Sequence, residues 1–269
     1  MHDSFRFVLV EPSHPGNIGA VARAIKTMGF SRLILVNPKQ FPDPEATARA
    51  AGADDVLENC QVVASLEEAI ADCQYTVGTS VRDRQISWPI ATPRQTAEKL
   101  SKQVLADNMT SNSEQAEIAI LFGRERTGLE NHELDHAQWQ IRIPANDDYN
   151  SLNLASATQI IAYELHCAFL ESLPNTQINS DIESDMKNEE STGLTGVEQR
   201  QRLATHSQMQ GFYEHLEQTL LQLDFIKTNP PTKLLRKIIR LYNRSHVSFE
   251  ELQILRGMLT ATQNKIKDR

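Results

Sequence analysis

The chain has 269 residues, a net charge of −8 and a hydrophobic content of 40%, which is ordinary for a globular protein. Its longest apolar runs are only a few residues long, far short of the ~20 residues that a membrane-spanning helix needs. The N-terminus lacks the apolar segment of a signal peptide, and three cysteines without a CxxC pair argue against a disulfide framework or a zinc site. We therefore predict a cytoplasmic protein with no membrane partner and no metal.

Strand and helix patterns alternate through residues 1–171. Apolar runs typical of buried strands occur at 5–10, 33–36, 75–78, 117–122 and 139–143. Helices are predicted at 17–28, after the capping boxes that begin at Ser65 and Thr92, and at 151–170. Such alternation predicts an α/β fold in which a parallel sheet is covered by helices on both faces.

Residues 172–195 are polar and acidic and include no aromatic side chain, a composition typical of a flexible linker. Beyond them, residues 196–269 are predicted to form a small all-helical domain, with helices at 198–223, 232–243 and 248–262. The net charge is −9 over residues 1–171, −4 over the linker and +5 over the last segment. This asymmetry indicates an acidic working domain and a basic domain that binds a polyanion.

The loops after the later strands are the predicted ligand site. The first strand is followed by residues 11–19, which do not form the GxGxxG fingerprint of a dinucleotide-binding fold. Three later loops each follow a predicted strand: 79–82, 123–129, and 144–150 with residues 151–154 that open the next helix. Parallel sheets bind ligands at the carboxyl ends of their strands. Within them, Gly123 and Gly128 permit a positive φ or a close approach of the backbone.

Three segments resemble the motifs of the SPOUT superfamily, in the order found in its 2′-O-ribose methyltransferase branch. They are residues 14–24 (HPGNIGAVARA), 121–129 (LFGRERTGL) and 143–154 (IPANDDYNSLNL). Within that branch the chain is most similar to bacterial tRNA (cytidine/uridine-2′-O)-methyltransferases that act at position 32 of the anticodon loop. The matching stretches are residues 50–56 (AAGADDV), 77–80 (VGTS) and 124–126 (RER). Those enzymes also carry a helical C-terminal domain.

The resemblance implies a trefoil knot, in which the last strand and helix of the first domain are threaded through a loop. It also implies that S-adenosylmethionine binds among the three loops, where apolar side chains and backbone amides suit an adenine. No metal is required, because the sulfonium methyl is already activated. The implied cofactor-binding residues are Thr79, Ser80, Val81, Gly123, Ile143, Asn150, Ser151 and Leu152.

Methyl transfer must stabilise the negative charge that develops on the ribose 2′-hydroxyl as its proton leaves. With the motif, we assign this role to Arg23, whose planar guanidinium offers several donors but stays protonated and is a poor base. A phosphate oxygen or Ser151 is expected to relay the proton. We expect Asn17 and Glu125 to orient Arg23 or the ribose, and Asn153 to join their network. The alternative for Arg23 is a solvated arginine on a helix surface.

Basic residues beside the cofactor loops and on the second C-terminal helix are the candidates for tRNA binding. The cations at positions 233, 236, 237, 240 and 244 are predicted to share one helical face, with Leu234, Leu235, Ile238 and Leu241 largely opposite. Such a face suits phosphate binding, and the alternative is a solvated face without a partner. The predicted RNA-binding residues are Arg82, Arg84, Lys233, Arg236, Lys237, Arg240 and Arg244. For the arginines beside the cofactor loops, phosphate binding and a surface ion pair are equally open; these are Arg82, Arg84, Arg124 and Arg126.

The family resembled here works as homodimers with active sites at the interface, which implies that Arg23 meets the cofactor loops of a second subunit. Two other functions remain open: methylation of another tRNA or ribosomal RNA nucleotide, and a non-catalytic RNA-binding module. The joint presence of Asn17, Arg23, Glu125, Ser151 and Asn153 argues against the second of these.

Overall fold

The structure is a computed structural model that describes residues 2–81, 89–109, 116–172, 203–226 and 233–267. The predicted linker, apart from Ser172, lies outside the described residues, as do Arg82 and Arg84.

A parallel seven-stranded sheet forms the centre of the first domain, with the order β3-β2-β1-β6-β4-β7-β5. Its strands are β1 (Phe5–Val10), β2 (Arg32–Val36), β3 (Gln61–Val63), β4 (Tyr75–Thr79), β5 (Ile90–Ala91), β6 (Ile118–Phe122) and β7 (Trp139–Ile141). The five predicted strands are present. The edge strands β3 and β5 were not predicted, since they are only three and two residues long and partly exposed.

Helices cover both faces of this sheet, as the alternation of patterns predicts. They are α1 (Pro15–Thr27), α2 (Pro44–Ala50), α3 (Asp54–Glu58), α4 (Leu66–Ile70), α5 (Pro93–Met109), α6 (Asn131–Leu134) and α7 (Leu154–Ser172). Successive residues of β1 point to opposite faces, so Phe5, Phe7 and Leu9 join one apolar core while Val8 and Val10 join another. The strands are therefore buried on both sides, which explains their continuous apolar runs.

Two helix starts differ from the prediction. Helix α1 begins at Pro15, two residues early, because proline is favoured in the first turn of a helix. Helix α7 begins at Leu154 and not at Ser151, because the Asn153 side chain accepts a hydrogen bond from the Ala155 amide (2.9 Å) and caps the helix there. As a result Ser151 lies in the loop before α7.

The C-terminal domain has an apolar core of its own. Its helices are α8 (His206–Gln222), α9 (Lys233–Arg244) and α10 (Phe249–Lys267). Residues from these helices and from the segments beside them, including Phe212, Leu216 and Leu252, form a cluster separate from the two cores of the sheet domain. Helix α8 begins at His206 rather than near residue 198, because Thr205 and Gln208 form a capping box.

Two properties of the described residues concern membranes and metals. Within the described ranges, every helix is too short or too polar to cross a membrane. The same ranges contain no group of three or more His, Cys, Asp or Glu side chains that could hold a metal ion.

Candidate functional site

An open pocket of about 770 Å³, partly continuous with solvent, lies at the carboxyl ends of β4, β6 and β7. It is lined by the three loops that the sequence singled out and by the start of α7. The lining residues are Thr79, Ser80, Val81, Phe122, Gly123, Arg124, Glu125, Arg126, Thr127, Gly128, Ile141, Ile143, Ser151, Leu152, Leu154 and Ala157.

Hydrogen bonds hold the first of these loops against its neighbours. The Thr79 hydroxyl donates to the Leu121 carbonyl (2.9 Å), and the Ser80 amide donates to the Ile141 carbonyl (3.1 Å). The carbonyl of the same residue, Ser80, accepts a hydrogen bond from the Gln140 side chain (2.8 Å). The loop therefore keeps its shape through contacts to both β6 and β7.

The second loop, residues 123–129, requires both of its glycines. A Cβ at Gly123 would lie 2.1 Å from the Gly128 carbonyl carbon and from the Leu129 amide nitrogen, so only glycine allows this approach. Gly128 has φ +68°, which L side chains rarely adopt. Together they close a tight turn in which the Gly128 amide donates to the Arg124 carbonyl (2.8 Å), and Glu125 lies at its tip.

Glu125 is the centre of a hydrogen-bond network at the pocket rim. Its carboxylate accepts from the Ser13 amide (3.1 Å) and hydroxyl (2.7 Å), from the His14 amide (3.1 Å) and from Asn17 Nδ2 (3.0 Å). Burial by itself would raise the pKa of Glu125, but the hydrogen bonds from Asn17 and Ser13 outweigh it and lower the pKa to about 2. Glu125 is therefore an ionised acceptor that anchors the start of α1.

Asn17 connects this network to the third loop. Its Oδ1 accepts from Asn153 Nδ2 (3.1 Å) while its Nδ2 donates to Glu125. The structure thus joins Asn17, Glu125 and Asn153, as predicted, and it adds Ser13, which the sequence reasoning missed. The only signal for Ser13 was a hydroxyl, which can donate a hydrogen bond, two residues before α1.

Arg124 is clamped by carboxylates next to the pocket. Its Nε donates to Glu11 (2.8 Å), and its Nη1 lies 3.0 Å from a carboxylate oxygen of Glu133. Hydrogen bonds to Glu11 raise the pKa of this guanidinium further, although burial opposes the change. The sequence left phosphate binding and an ion pair open for Arg124, and in the structure it forms ion pairs with Glu11 and Glu133. Glu133 is only 3% exposed, because it faces Arg124.

Arg23 lies on α1, is exposed and does not line the pocket. Six residues at about 100° each turn its side chain about 120° away from Asn17 around the helix. Within the described part of the chain, its guanidinium has no hydrogen bond or ion pair.

Most of the predicted cofactor residues line one pocket. Thr79, Ser80, Val81, Gly123, Ile143, Ser151 and Leu152 are all among its walls. Asn150 is exposed and is not a wall residue.

The predicted arrangement of the basic helix, now α9, is wrong in part. Leu235 is buried as expected, but Leu234 and Leu241 are 43% and 52% exposed, while Arg240 is only 9% exposed. The reason is that α9 has two packed sides: one faces the core of its own domain, and another faces α6 of the sheet domain. Lys233, Lys237 and Arg244 remain exposed.

Comparison with known proteins agrees with this geometry. Residues 4–163 match the model of the SpoU rRNA methylase family, and residues 207–269 match the C-terminal domain of the tRNA methyltransferase TrmJ. The chain is 42% identical over 263 residues (98% of this chain, 95% of the relative) to the tRNA (cytidine/uridine/adenosine-2′-O-)-methyltransferase TrmJ of Pseudomonas aeruginosa. It is also 42% identical over 269 residues, the full length of both chains, to the tRNA (cytidine/uridine-2′-O-)-methyltransferase TrmJ of Cronobacter sakazakii.

A solved structure extends the likeness to three dimensions. The crystal structure of TrmJ from Z. mobilis ZM4 superposes with a TM-score of 0.75 at 28% identity, over 96% of this chain and 98% of that one. The sequence motifs, the pocket loops and these matches therefore place the chain in the SpoU methylase family and, within it, in the TrmJ group of tRNA (cytidine/uridine-2′-O-)-methyltransferases.

Proposed function

We propose that the chain methylates the ribose 2′-hydroxyl of cytidine or uridine at position 32 in the tRNA anticodon loop, with S-adenosylmethionine as the methyl donor. The observation that carries this proposal is the hydrogen-bond network of Asn17, Glu125 and Asn153. It lies at the rim of the pocket beside β4, β6 and β7. Full-length identity of 42% to TrmJ enzymes supports the substrate. A tRNA substrate also supports a cytoplasmic setting.

The pocket fits the proposed cofactor. Phe122, Ile141 and Ile143 supply apolar walls for an adenine, and the Thr79–Val81 loop supplies backbone groups beside them. Gly123 lets the 123–129 loop close tightly on itself, and this loop forms one wall of the pocket. When bound, S-adenosylmethionine supplies an electrophilic methyl group on its sulfonium.

The protein then has to position and activate the ribose. Ser151 lies in the pocket wall and is exposed, so its hydroxyl is available to hold or relay the proton of the 2′-hydroxyl, as is a phosphate oxygen of the RNA. Arg23 stabilises the developing alkoxide, because a guanidinium remains charged throughout the reaction. The hydrogen bond between Glu125 and Asn17 holds the pocket rim in position for binding of the ribose.

A homodimer completes the proposed site. Arg23 points away from the pocket rim of its own chain and is exposed, which supports its action on a ribose bound at the pocket of a second subunit. A two-fold axis would then form two equal composite sites.

We also propose that the chain is knotted. Strand β7 lies between β4 and β5, which follow one another in sequence. The Ile141 carbonyl accepts from the Ser80 amide (3.1 Å), and the Arg142 amide donates to the Ala91 carbonyl (3.0 Å). The chain at 141–142 is thus bonded on both sides to the ends of the 80–91 connection, which supports threading through that loop.

The Pseudomonas aeruginosa relative carries adenosine in its name as well, so methylation of adenosine in addition to cytidine and uridine is the second candidate function.

The test uses labelled S-adenosylmethionine and tRNA transcripts that differ only at position 32, followed by mapping of the methylated nucleotide. We expect cytidine and uridine transcripts to be labelled at position 32. A 2′-deoxy nucleotide at that position should abolish labelling, and label that persists there or maps elsewhere would contradict the proposal.

A further inference from the structure

Helix α9 presents three different sides. Its apolar side, with Ile238, Ile239 and Tyr242, packs against the core of the C-terminal domain. Its open side carries the exposed cations Lys233, Lys237 and Arg244. Its third side carries Arg236 and Asn243, both of which bond to the sheet domain. The basic residues of this helix therefore fall into two sets with different surroundings.

The third side is attached to the sheet domain at the end of α6. Arg236 Nε donates to the Asp135 carboxylate (2.6 Å), and Asn243 Nδ2 donates to the Asp135 carbonyl (2.8 Å). Asn243 is itself held from its own domain by the Tyr213 hydroxyl (2.6 Å). The two attachments are seven residues apart on α9, so they restrict both its distance from α6 and its rotation.

This ion pair is shielded from solvent. The Arg236 side chain is 29% exposed and that of Asp135 is 16% exposed. An exposed pair of surface charges contributes little, but a shielded, directed hydrogen bond between a guanidinium and a carboxylate imposes geometry. The sheet domain carries many carboxylates, and Arg236 of α9 pairs specifically with Asp135.

The opposite side of α6 touches the methyl-transfer pocket. Glu133 pairs with Arg124 (3.0 Å), which lines the pocket. Leu134 packs so closely against Gly78 that a Cβ there would lie 2.4 Å from its Cδ2, and Gly78 is adjacent to the wall residue Thr79. A four-residue helix thus lies between the pocket wall and α9.

We propose that Asp135 and Arg236 are positioning residues, which hold α9 at a set distance and angle from the pocket through α6. This rests on the proposed function. The tRNA contacts the open side of α9, through Lys233, Lys237 and Arg244, and the Asp135–Arg236 bond directs the bound anticodon loop toward the pocket. Arg236 then serves orientation, and the exposed cations serve affinity.

The test compares Asp135→Asn and Arg236→Gln with the matched variant Lys237→Gln, by kcat and KM for tRNA and by direct tRNA binding. Both positioning variants should lower kcat by about 10- to 100-fold, as misplacement of a reacting group does. Lys237→Gln should act mainly by raising KM for tRNA. Asp135→Asn is decisive, because it removes a negative charge: if Asp135 merely competed with phosphate for Arg236, this variant would raise activity at limiting tRNA.

The charge-swapped double variant Asp135→Arg with Arg236→Asp keeps the test independent of the single changes. It should recover most of the kcat that each reversal loses alone, which loss of folding or of phosphate contacts would not reproduce. Unchanged kcat in both neutral variants, or no recovery in the folded double variant, would overturn the proposal. Failure of the wild-type chain to methylate tRNA would instead refute the proposed function.

Discussion

The pocket rim and the open side of α9 are the two regions proposed to meet tRNA, and they are built in opposite ways. The rim is formed by side chains from three separate segments, Asn17, Glu125 and Asn153. Each of them makes directed hydrogen bonds. On α9, Lys233 and Lys237 are exposed cations on a helix surface. Chemistry requires atoms at defined positions, whereas phosphate binding requires mainly charge. Changes at the rim should therefore alter rate, and changes on α9 should alter affinity.

The largest effect is expected from Arg23→Ala. If Arg23 has its proposed role at the developing alkoxide, its loss should lower kcat by about 100- to 1,000-fold, while cofactor affinity, measured by calorimetry, stays near the wild-type value. A comparable loss of cofactor affinity would contradict the assigned role.

A mixing experiment tests whether Arg23 acts across the dimer. Arg23→Ala is refolded together with Leu152→Glu, which places a charge in the apolar pocket wall. Leu152 is preferred to Gly123, where any side chain would collide with the backbone of Gly128 and Leu129. Random pairing makes about half of the dimers mixed, each with one intact site, so about a quarter of wild-type activity should return. Absence of recovery in verified mixed dimers would show that Arg23 acts within its own chain.

Removal of residues 203–269 should be the next largest change. The sheet domain retains its own two cores, so it should fold and bind cofactor, but methylation at limiting tRNA should fall by at least about tenfold because the basic helix is lost. Full activity of the shortened chain at limiting tRNA would contradict the role of the C-terminal domain.

A smaller effect is expected on the open side of α9. Lys233→Gln with Lys237→Gln should weaken tRNA binding a few-fold and reduce the slope of log affinity against log salt by about 2, one for each lost phosphate contact. The control is Lys102→Gln, which removes an exposed charge from α5. Equal slopes for the double variant and the control would exclude phosphate contacts on α9.

The smallest effect concerns stability at the rim. Glu125 has a pKa lowered from 4.5 to about 2, so its hydrogen bonds stabilise the fold above pH 4.5, and this contribution is lost as the pH falls toward 2. Glu125→Gln should therefore lower the free energy of unfolding by about 1 kcal/mol at pH 7, after allowance for solvent screening, and by less at pH 3. Urea unfolding at both pH values measures the difference, and equal losses would contradict the lowered pKa.

Local patterns in the sequence determined much of the fold. Continuous apolar runs predicted β1 and β6, because strands buried on both faces have no polar side. Side chains near in sequence determined helix starts, as at Thr92, whose hydroxyl and amide bond to Gln95 within three residues. The family resemblance of residues 14–24 and 121–129 likewise singled out Asn17 and Glu125, which the fold brings into hydrogen-bond contact.

Contacts between residues far apart in sequence were decided only by the tertiary structure. The short edge strands β3 and β5 form because each pairs through backbone hydrogen bonds with a longer neighbouring strand. That pairing partner cannot be identified from the local sequence. The same holds for Glu133, buried by its pairing with Arg124, and for Arg236, which bonds to a carboxylate 101 residues away. Helical periodicity places a residue on a face, but the packing of the other domain decides whether that face meets protein or solvent.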